Sequence, residues 1–476
     1  MKQNLTMLTD FYEITMANGY FENGIGDKIG YFDMYFRKIP DDGGFAIMAG
    51  VEQVIEYIKN LKFTDEDIDY LRSKNMFSEG FLDYLKNFKF VCDVWAIEEG
   101  TPIFPNEPLV VVRGPIIQAQ FIETMILLTV NHQSLIATKT NRIVRAANGR
   151  PVMEFGSRRA QGYDGAVYGS RAAYIGGCVG TACTISEQMF GIPALGTMAH
   201  SLIQTFPDEY SAFCAYASVY PDNCTLLIDT YNVIKSGLVN AIKVHNDVLV
   251  PAGHRLKGVR IDSGDITYLT KKVRKILDEN GMEDCGIVVS NSLDEYIIRD
   301  TLMQGAQINS FGVGERLITS RSEPVFGGVY KLVAIESGNE IIPRIKLSEN
   351  VSKITNPGFK SLYRLFTKDG KAIADVITKH GEEIDDTKPY TIFDPEHTWK
   401  KKTIVEFEAK PLLKQIFDKG ECVYECPDIK TIQKNCKEQI ENLWDEVKRF
   451  ENPHRYYVDL SKDMWDMKQN LLDQFG

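Results

Sequence analysis

The chain has 476 residues, 44% of them hydrophobic and 25% charged, which is too long for one ordinary domain and ample for two with buried cores. Sixty-five acidic against 54 basic residues leave a net charge of −11, so the molecule as a whole repels polyanions and anionic membranes, and any anionic ligand needs a local site. The start, MKQNLTMLTDFYEITMANGYF, has no uninterrupted apolar core and no small-residue cleavage end, and no later stretch approaches a membrane span.

A cytoplasmic protein that binds neither nucleic acid nor membrane is therefore expected. Nine cysteines, an odd number without a secretory signal, point to free thiols rather than a disulfide framework. No internal repeat or low-complexity block appears.

In chain order, Phe11, Ile14, Thr15, Ala17 and Asn18 have helical spacing and predict a helix over 10–20 ending at Gly19, and residues 28–36 alternate as a strand does. Short β-rich runs, DVWAIEEG and PLVVVRG, follow over 91–114, broken by the turn TPIFPNEP. The middle then changes rhythm: PVMEFGSRRAQG, IPALGTMAHS, TLLIDTYN, GVRIDSGD, GIVVSNSLDE and QINSFGVGER each join an apolar run to polar turn residues and a helical segment. Strands alternating with helices imply a parallel sheet, and the even later spacings favour a (β/α) barrel over an open sheet. The expected organisation is an N-terminal mixed α/β domain over 1–135, a barrel over 136–345, and a segment over 346–476 that partly completes the first domain and carries a helix over 431–449. The fold class is thus α/β, with a smaller mixed domain beside the barrel.

In such a fold the C-terminal ends of the strands line one mouth, where sites are built. Those ends are polar: Arg158 and Arg159 follow Glu154, Thr197 and His200 follow Gly196, Asp229 ends TLLID, Arg260, Asp262 and Asp265 close or follow GVRI, Ser290, Asn291 and Ser292 follow IVV, and Gly312 and Gly314 follow NSF. Taken singly, Ser292 with Glu295 reads as a capping box, and Thr197 and Asp265 as helix caps. Taken together, the turns SNS and GVG before expected helix starts offer backbone N–H groups to a phosphate, with arginines opposite and carboxylates beside them for hydroxyls or Mg²⁺. That combination suits a phosphorylated sugar. His200, at the first turn of a helix, would keep a neutral ring nitrogen and meet a phosphoryl group with free N–H groups around it. A general base, or a core histidine bonded to a carboxylate such as Asp229, fits the same residues.

The segments LTDFYEITMANGYF, EFGSRRAQGYDG, GTMAHS, LLIDTYNVIKSG, GVRIDSGD, IVVSNSLDE, FGVGE, GGVYKLVAI and NPHRYYVDLS occur in one order across the whole chain. In them the chain closely resembles the nicotinate phosphoribosyltransferase family. The resemblance implies a type II phosphoribosyltransferase in which nicotinate displaces pyrophosphate from phosphoribosyl pyrophosphate to give nicotinate mononucleotide in NAD salvage, while ATP is hydrolysed with Mg²⁺. It implies that His200 is transiently phosphorylated, and that Tyr12 stacks on the pyridine ring in a neighbouring subunit's site of a homodimer. By the same resemblance Arg158, Thr197 and Arg260 contact nicotinate, Asp229 is the acidic residue near the ribose and the histidine, Ser290 and Asn291 lie at the sugar diphosphate, and Gly312 and Gly314 form the phosphate-binding turn.

One position departs from the family. Glu315 stands where many members have threonine after the glycine turn, and a carboxylate at a phosphate cradle opposes it unless paired, for instance with Arg316 or through Mg²⁺. Three other readings share the fold: a quinolinate enzyme, which the GTMAHS stretch disfavours; a nicotinamide enzyme, which Met198 disfavours where an acidic acceptor would be expected; and a non-catalytic nucleotide sensor. Cys422 and Cys426, with Cys436, His397 and His454 elsewhere, raise a zinc reading that packed thiols answer more simply. Cys178 and Cys183 read as small apolar fillers.

Overall fold

The structure is a computed structural model that describes residues 4–350 and 353–475. It divides into two units, one of residues Ile136–Pro324 and one of Met1–Leu135 with Val325–Gly476.

The first unit is built on six parallel strands: β1 (Val152–Glu154), β2 (Gly180–Thr181), β3 (Thr225–Leu227), β4 (Gly258–Ile261), β5 (Gly286–Asn291) and β6 (Ser310–Val313). Their sheet order is β2-β1-β6-β5-β4-β3, so each strand neighbours its successor in the chain except β2, which does not pair with β3, and β6 returns to pair with β1. β2 and β3 are thus the two ends of a parallel sheet, and the bridge Thr181↔Ala194 extends it beyond β2. The strands form because their apolar runs can be buried on both faces: Val152, Leu226, Val259, Ile261, Ile287, Val289, Phe311 and Val313 are all buried.

The run GIPALGTMAHS gives that one bridge rather than the expected strand. Pro193 has no N–H to donate, and pairing is limited to Thr181 N to Pro193 O at 3.0 Å and Leu195 N to Thr181 O at 2.8 Å. Four helices of this unit matter below: α1 (His200–Thr205), α2 (Ile266–Glu279), α3 (Glu295–Met303) and α4 (Glu315–Ile318). Asp265 caps α2 by accepting from Tyr268 N at 2.7 Å, as its sequence position predicts.

The unit with the parallel sheet ends at Pro324, before the expected boundary at 345. Strand Val329–Ser337 pairs antiparallel with Ile29–Tyr35, from Gly30↔Ile335 to Tyr35↔Val329, and Tyr330 stacks on Phe32 at 5.0 Å. The apolar run GGVYKLVAI suits either sheet by pattern, and this cross-strand packing decides its partner. The second unit therefore holds both ends of the chain and the longer share of it.

In that unit a seven-stranded sheet has Ile29–Tyr35 between Val329–Ser337 and Val110–Pro115, followed by Asp93–Ile97 and Leu413–Asp418. Phe32, Met34, Val94, Val110, Val112 and Ile122 fill its core. Residues after 359 build a separate four-stranded sheet from Lys360–Thr367, Ala372–Lys379, Phe407–Pro411 and Tyr457–Leu460.

The first helix runs Phe11–Glu22 and passes through Gly19, where it was expected to end. An interior glycine costs about 1 kcal/mol, and burial of Ile14 and Ala17 with Phe21 packed 5.8 Å from Phe81 outweighs it. The helix expected over 431–449 spans Ile429–Glu441, begun by Asp428 accepting from Lys430 N and Thr431 N, and stops short of 449; a further helix, Lys462–Phe475, follows it.

All nine cysteines are free thiols, and Cys178 and Cys183 are buried as fillers. Among the described residues the one group of three or more His, Cys, Asp or Glu side chains whose ligand atoms lie close enough to share a metal is Asp394, Glu396 and His397. None of the cysteines joins them; Cys422 Sγ instead lies 3.4 Å from Tyr424 O. No helix among the described residues is long and apolar enough to cross a membrane.

Candidate active site

Arg260 organises the C-terminal strand ends of the parallel sheet. It lies in β4, opposite Leu227 of β3 and Val288 of β5. Its guanidinium donates from Nε to Ser290 Oγ at 2.7 Å, from one terminal nitrogen to Thr197 Oγ1 and Met198 O at 3.1 Å each, and from the other to Asp262 Oδ1 at 3.0 Å. The plane also rests 5.7 Å from the Phe155 ring. A planar fork with five donors can satisfy three chain segments at once, which a lysine cannot.

Thr197 thus binds Arg260 instead of capping a helix; α1 begins after Ala199, which contributes no side-chain cap. Asp262 was noted as a strand-end residue but not assigned to the site, and here it receives both Arg260 and the hydroxyl of Ser290. The signal was present in GVRID: residues two apart at the end of a strand face the same side, so Arg260 and Asp262 share a face.

His200 opens α1 with Nδ1 at 3.1 Å from Thr230 Oγ1 and Nε2 at 3.9 Å from Asp262 Oδ2. The carboxylate facing its ring is therefore Asp262, where Asp229 had been expected. Asp229 turns one oxygen to Asp262 N at 3.2 Å and Ser263 Oγ at 2.6 Å. Its other oxygen is buried with no hydrogen-bond partner among the described residues. Such an atom loses hydration unless a ligand supplies a donor or a cation.

The loops after β5 and β6 differ in what they leave open. After β5, Ser292 N turns back on Asn291 Oδ1 at 2.6 Å and Leu293 N on Asn291 O at 2.7 Å. The N-cap of α3 is Asp294, whose Oδ1 accepts from Tyr296 N and Ile297 N at 3.1 and 2.9 Å. Ser292 and Glu295 therefore form no capping box, and a carboxylate already occupies the helix start that was expected to cradle phosphate. After β6, the first bonds within α4 run from Leu317 N and Ile318 N to Gly314 O at 3.2 and 3.1 Å, which leaves the amides of residues 315 and 316 ahead of the ladder. Gly312 is required sterically, since a Cβ there would lie 2.4 Å from the Phe155 ring. Glu315 pairs with Arg321 at 3.6 Å, not with Arg316, which pairs with Asp294.

Arg158 lies in the exposed turn Ser157–Arg159 after β1. Just before it, Glu154 is fully buried. Burial raises its pKa, opposed by bonds from Thr181, Gly156 and Ser170 and by the charge of Arg158. Tyr12 belongs to the other unit, on the first turn of helix Phe11–Glu22, and 44% of it is exposed. Partial burial and the carboxylates of Glu123 and Glu13 push its phenol pKa up, so it stays protonated.

Parallel strands whose ends gather an arginine hub, paired carboxylates, a histidine and an open glycine turn define an α/β enzyme's site for a small polar molecule. Residues 7–131 match the nicotinate phosphoribosyltransferase (NAPRTase) N-terminal domain and 359–468 the nicotinate phosphoribosyltransferase C-terminal domain. The nicotinate phosphoribosyltransferase of Bacillus subtilis is 41% identical over 474 residues, covering 99% of this chain and 96% of its own. The crystal structure of human nicotinic acid phosphoribosyltransferase superposes with a TM-score of 0.85 at 28% identity, covering 98% of this chain and 100% of that one. A nicotinate-nucleotide pyrophosphorylase from Pyrococcus furiosus shares the fold at a TM-score of 0.71 and 24% identity, over 92% and 96% of the two chains. The chain belongs to the nicotinate phosphoribosyltransferase family.

Proposed function

We propose that this protein transfers phosphoribosyl from phosphoribosyl pyrophosphate to nicotinate, forming nicotinate mononucleotide and pyrophosphate in NAD salvage, with ATP hydrolysed through a phosphorylated His200. The observation that carries the reading is the anchored guanidinium of Arg260, held by Ser290, Thr197, Met198 and Asp262 from three loops of the mouth. Held in place, it can meet a carboxylate or phosphate without first losing side-chain freedom.

In the transfer, the pyridine nitrogen of nicotinate attacks C1 of the ribose while the bond from C1 to the pyrophosphate oxygen breaks, and its electron pair leaves with pyrophosphate. Arg260, Arg158 and Thr197 orient the nicotinate carboxylate. The glycine turn at Gly312 and Gly314, with Ser290 and Asn291, receives the phosphates through backbone and hydroxyl donors. Pairing of Glu315 with Arg321 supports a role for that position through its backbone alone. Exposure of Tyr12 supports its presentation to the site of a second copy of this chain, giving a homodimer with shared sites.

For the ATP step, Nδ1–H of His200 donates to Thr230 in one tautomer, which leaves the Nε2 lone pair free to accept the γ-phosphoryl group as ADP departs. Water later cleaves the N–P bond and releases phosphate. The partnerless buried oxygen of Asp229, near Asp262, fits a hard cation with oxygen ligands, so these two carboxylates would hold Mg²⁺. Bound there, Mg²⁺ neutralises phosphate charge.

The test is release of pyrophosphate from phosphoribosyl pyrophosphate with nicotinate, nicotinamide or quinolinate as acceptor, with and without Mg-ATP. Turnover with nicotinate, raised by ATP, is expected. Preference for another acceptor, or none with any, would refute the reading.

A further inference from the structure

The turn after β6 is anchored at its far end, where Leu317 and Ile318 are buried, while its first residues carry the open amides. Its helix α4 has four residues, and a single helical turn is not stable alone. The loop after β5, by contrast, leads into a helix anchored at its start. Glu295, the first residue of α3, is completely buried and takes Lys139 Nζ at 2.8 Å and Arg142 Nε at 2.9 Å. Breaking such a buried carboxylate from its cations is strongly unfavourable, so the start of α3 is fixed.

Asp294, the preceding residue, divides its two oxygens between tasks. Oδ1 caps α3 through Tyr296 N and Ile297 N, and Oδ2 receives Arg316, the second residue of α4. Both members of that pair are mostly buried, with side chains 16% and 26% exposed. The pair lies directly after the glycine turn and engages Arg316 in place of Glu315, whose side chain is left to Arg321.

We infer that Asp294 and Arg316 are positioning residues which tie the glycine turn 312–316 to the anchored start of α3, holding its open amides in the geometry that receives the phosphates of phosphoribosyl pyrophosphate. The inference rests on the phosphoribosyl transfer proposed above. Neither side chain need touch the substrate. Their effect passes through the backbone of the turn, so it falls on the sugar diphosphate and not on nicotinate.

Asp294→Asn keeps the helix cap, because asparagine caps as well as aspartate, but removes the negative charge that faces Arg316. Arg316→Gln removes the other half. Each should raise KM for phosphoribosyl pyrophosphate roughly tenfold, the size of one charge-assisted bond, with kcat and KM for nicotinate within about twofold. The double variant should be no worse than the poorer single one, since both remove the same pair. Amide exchange should quicken over 314–318 and stay unchanged over 296–303.

An unchanged KM in Asp294→Asn would overturn the inference. So would a loss confined to Arg316→Gln, which would make that arginine a ligand, or multiplicative effects in the double variant. If the unmodified protein shows no transfer, the functional reading fails; exchange over 314–318 that is unaltered in Asp294→Asn then refutes the tie independently.

Discussion

Replacing Arg260 by lysine keeps the charge and removes the geometry. The guanidinium makes four hydrogen bonds, to Ser290 Oγ, Thr197 Oγ1, Met198 O and Asp262 Oδ1, at 2.7 to 3.1 Å, and its side chain is only 12% exposed. A lysine ammonium on the same strand can keep the pairing with Asp262 but cannot span Thr197 and Ser290 together. Losing two bonds to a charged donor, each about 1.5 kcal/mol, removes about 3 kcal/mol from the site, or roughly 100-fold in kcat/KM for nicotinate. The assay is initial-rate pyrophosphate release across a nicotinate series, with thermal unfolding followed alongside so that a folding defect is separated from a site defect. A kcat/KM within threefold of the unmodified protein would show that neither the fork nor its position matters, and would refute the account of the site.

His200→Ala should abolish ATP hydrolysis and its stimulation of synthesis while leaving slow ATP-independent transfer; full ATP coupling in that variant would rule out the phosphoryl role. Arg158→Ala should raise KM for nicotinate roughly 30-fold, about 2 kcal/mol for an unpaired charged acceptor, measured in the same assay, and an unchanged value would place its partner elsewhere. Glu13, buried on helix Phe11–Glu22 and bonded by Thr124 and Thr9, has its pKa raised by burial from 4.5 to about 7. The folded state holds this proton more tightly than the unfolded chain, so stability from this group is complete below about pH 4.5 and is lost as pH rises through about 7. Denaturant unfolding of Glu13→Gln should lack a decline of about 3 kcal/mol over that window, and equal pH dependence in both proteins would contradict the assignment.

Much of the site was legible in the sequence because strand ends advertise themselves. An apolar run closed by Asp, Arg or Ser-Asn, as in TLLID, GVRI and IVVSN, places those residues at the mouth of a parallel sheet whatever the helices do. Arg260, Asp229, Ser290 and the glycine turn were placed at strand ends this way, where the structure has them. The charge balance and the unpaired cysteines were equally accessible to composition, and the ordered motifs identified the family, which full-length relatives uphold.

Side-chain choice between neighbours lay beyond the sequence, because it depends on distances set by residues far apart in the chain. Asp262, not Asp229, faces His200, Arg321 and not Arg316 takes Glu315, and Asp294 displaces Ser292 as the cap of α3. In each case two residues had the right chemistry, and the course of the strands and loops in space determined which came within reach. The same holds for Val329–Ser337, whose pattern suits either sheet and whose stacking of Tyr330 on Phe32 assigns it to the second unit. Local pattern determines that a residue is at a strand end and what it can do; only the tertiary structure decides its partner, since hydrogen bonds and ion pairs are made over about 3 Å and sequence order carries no such distance.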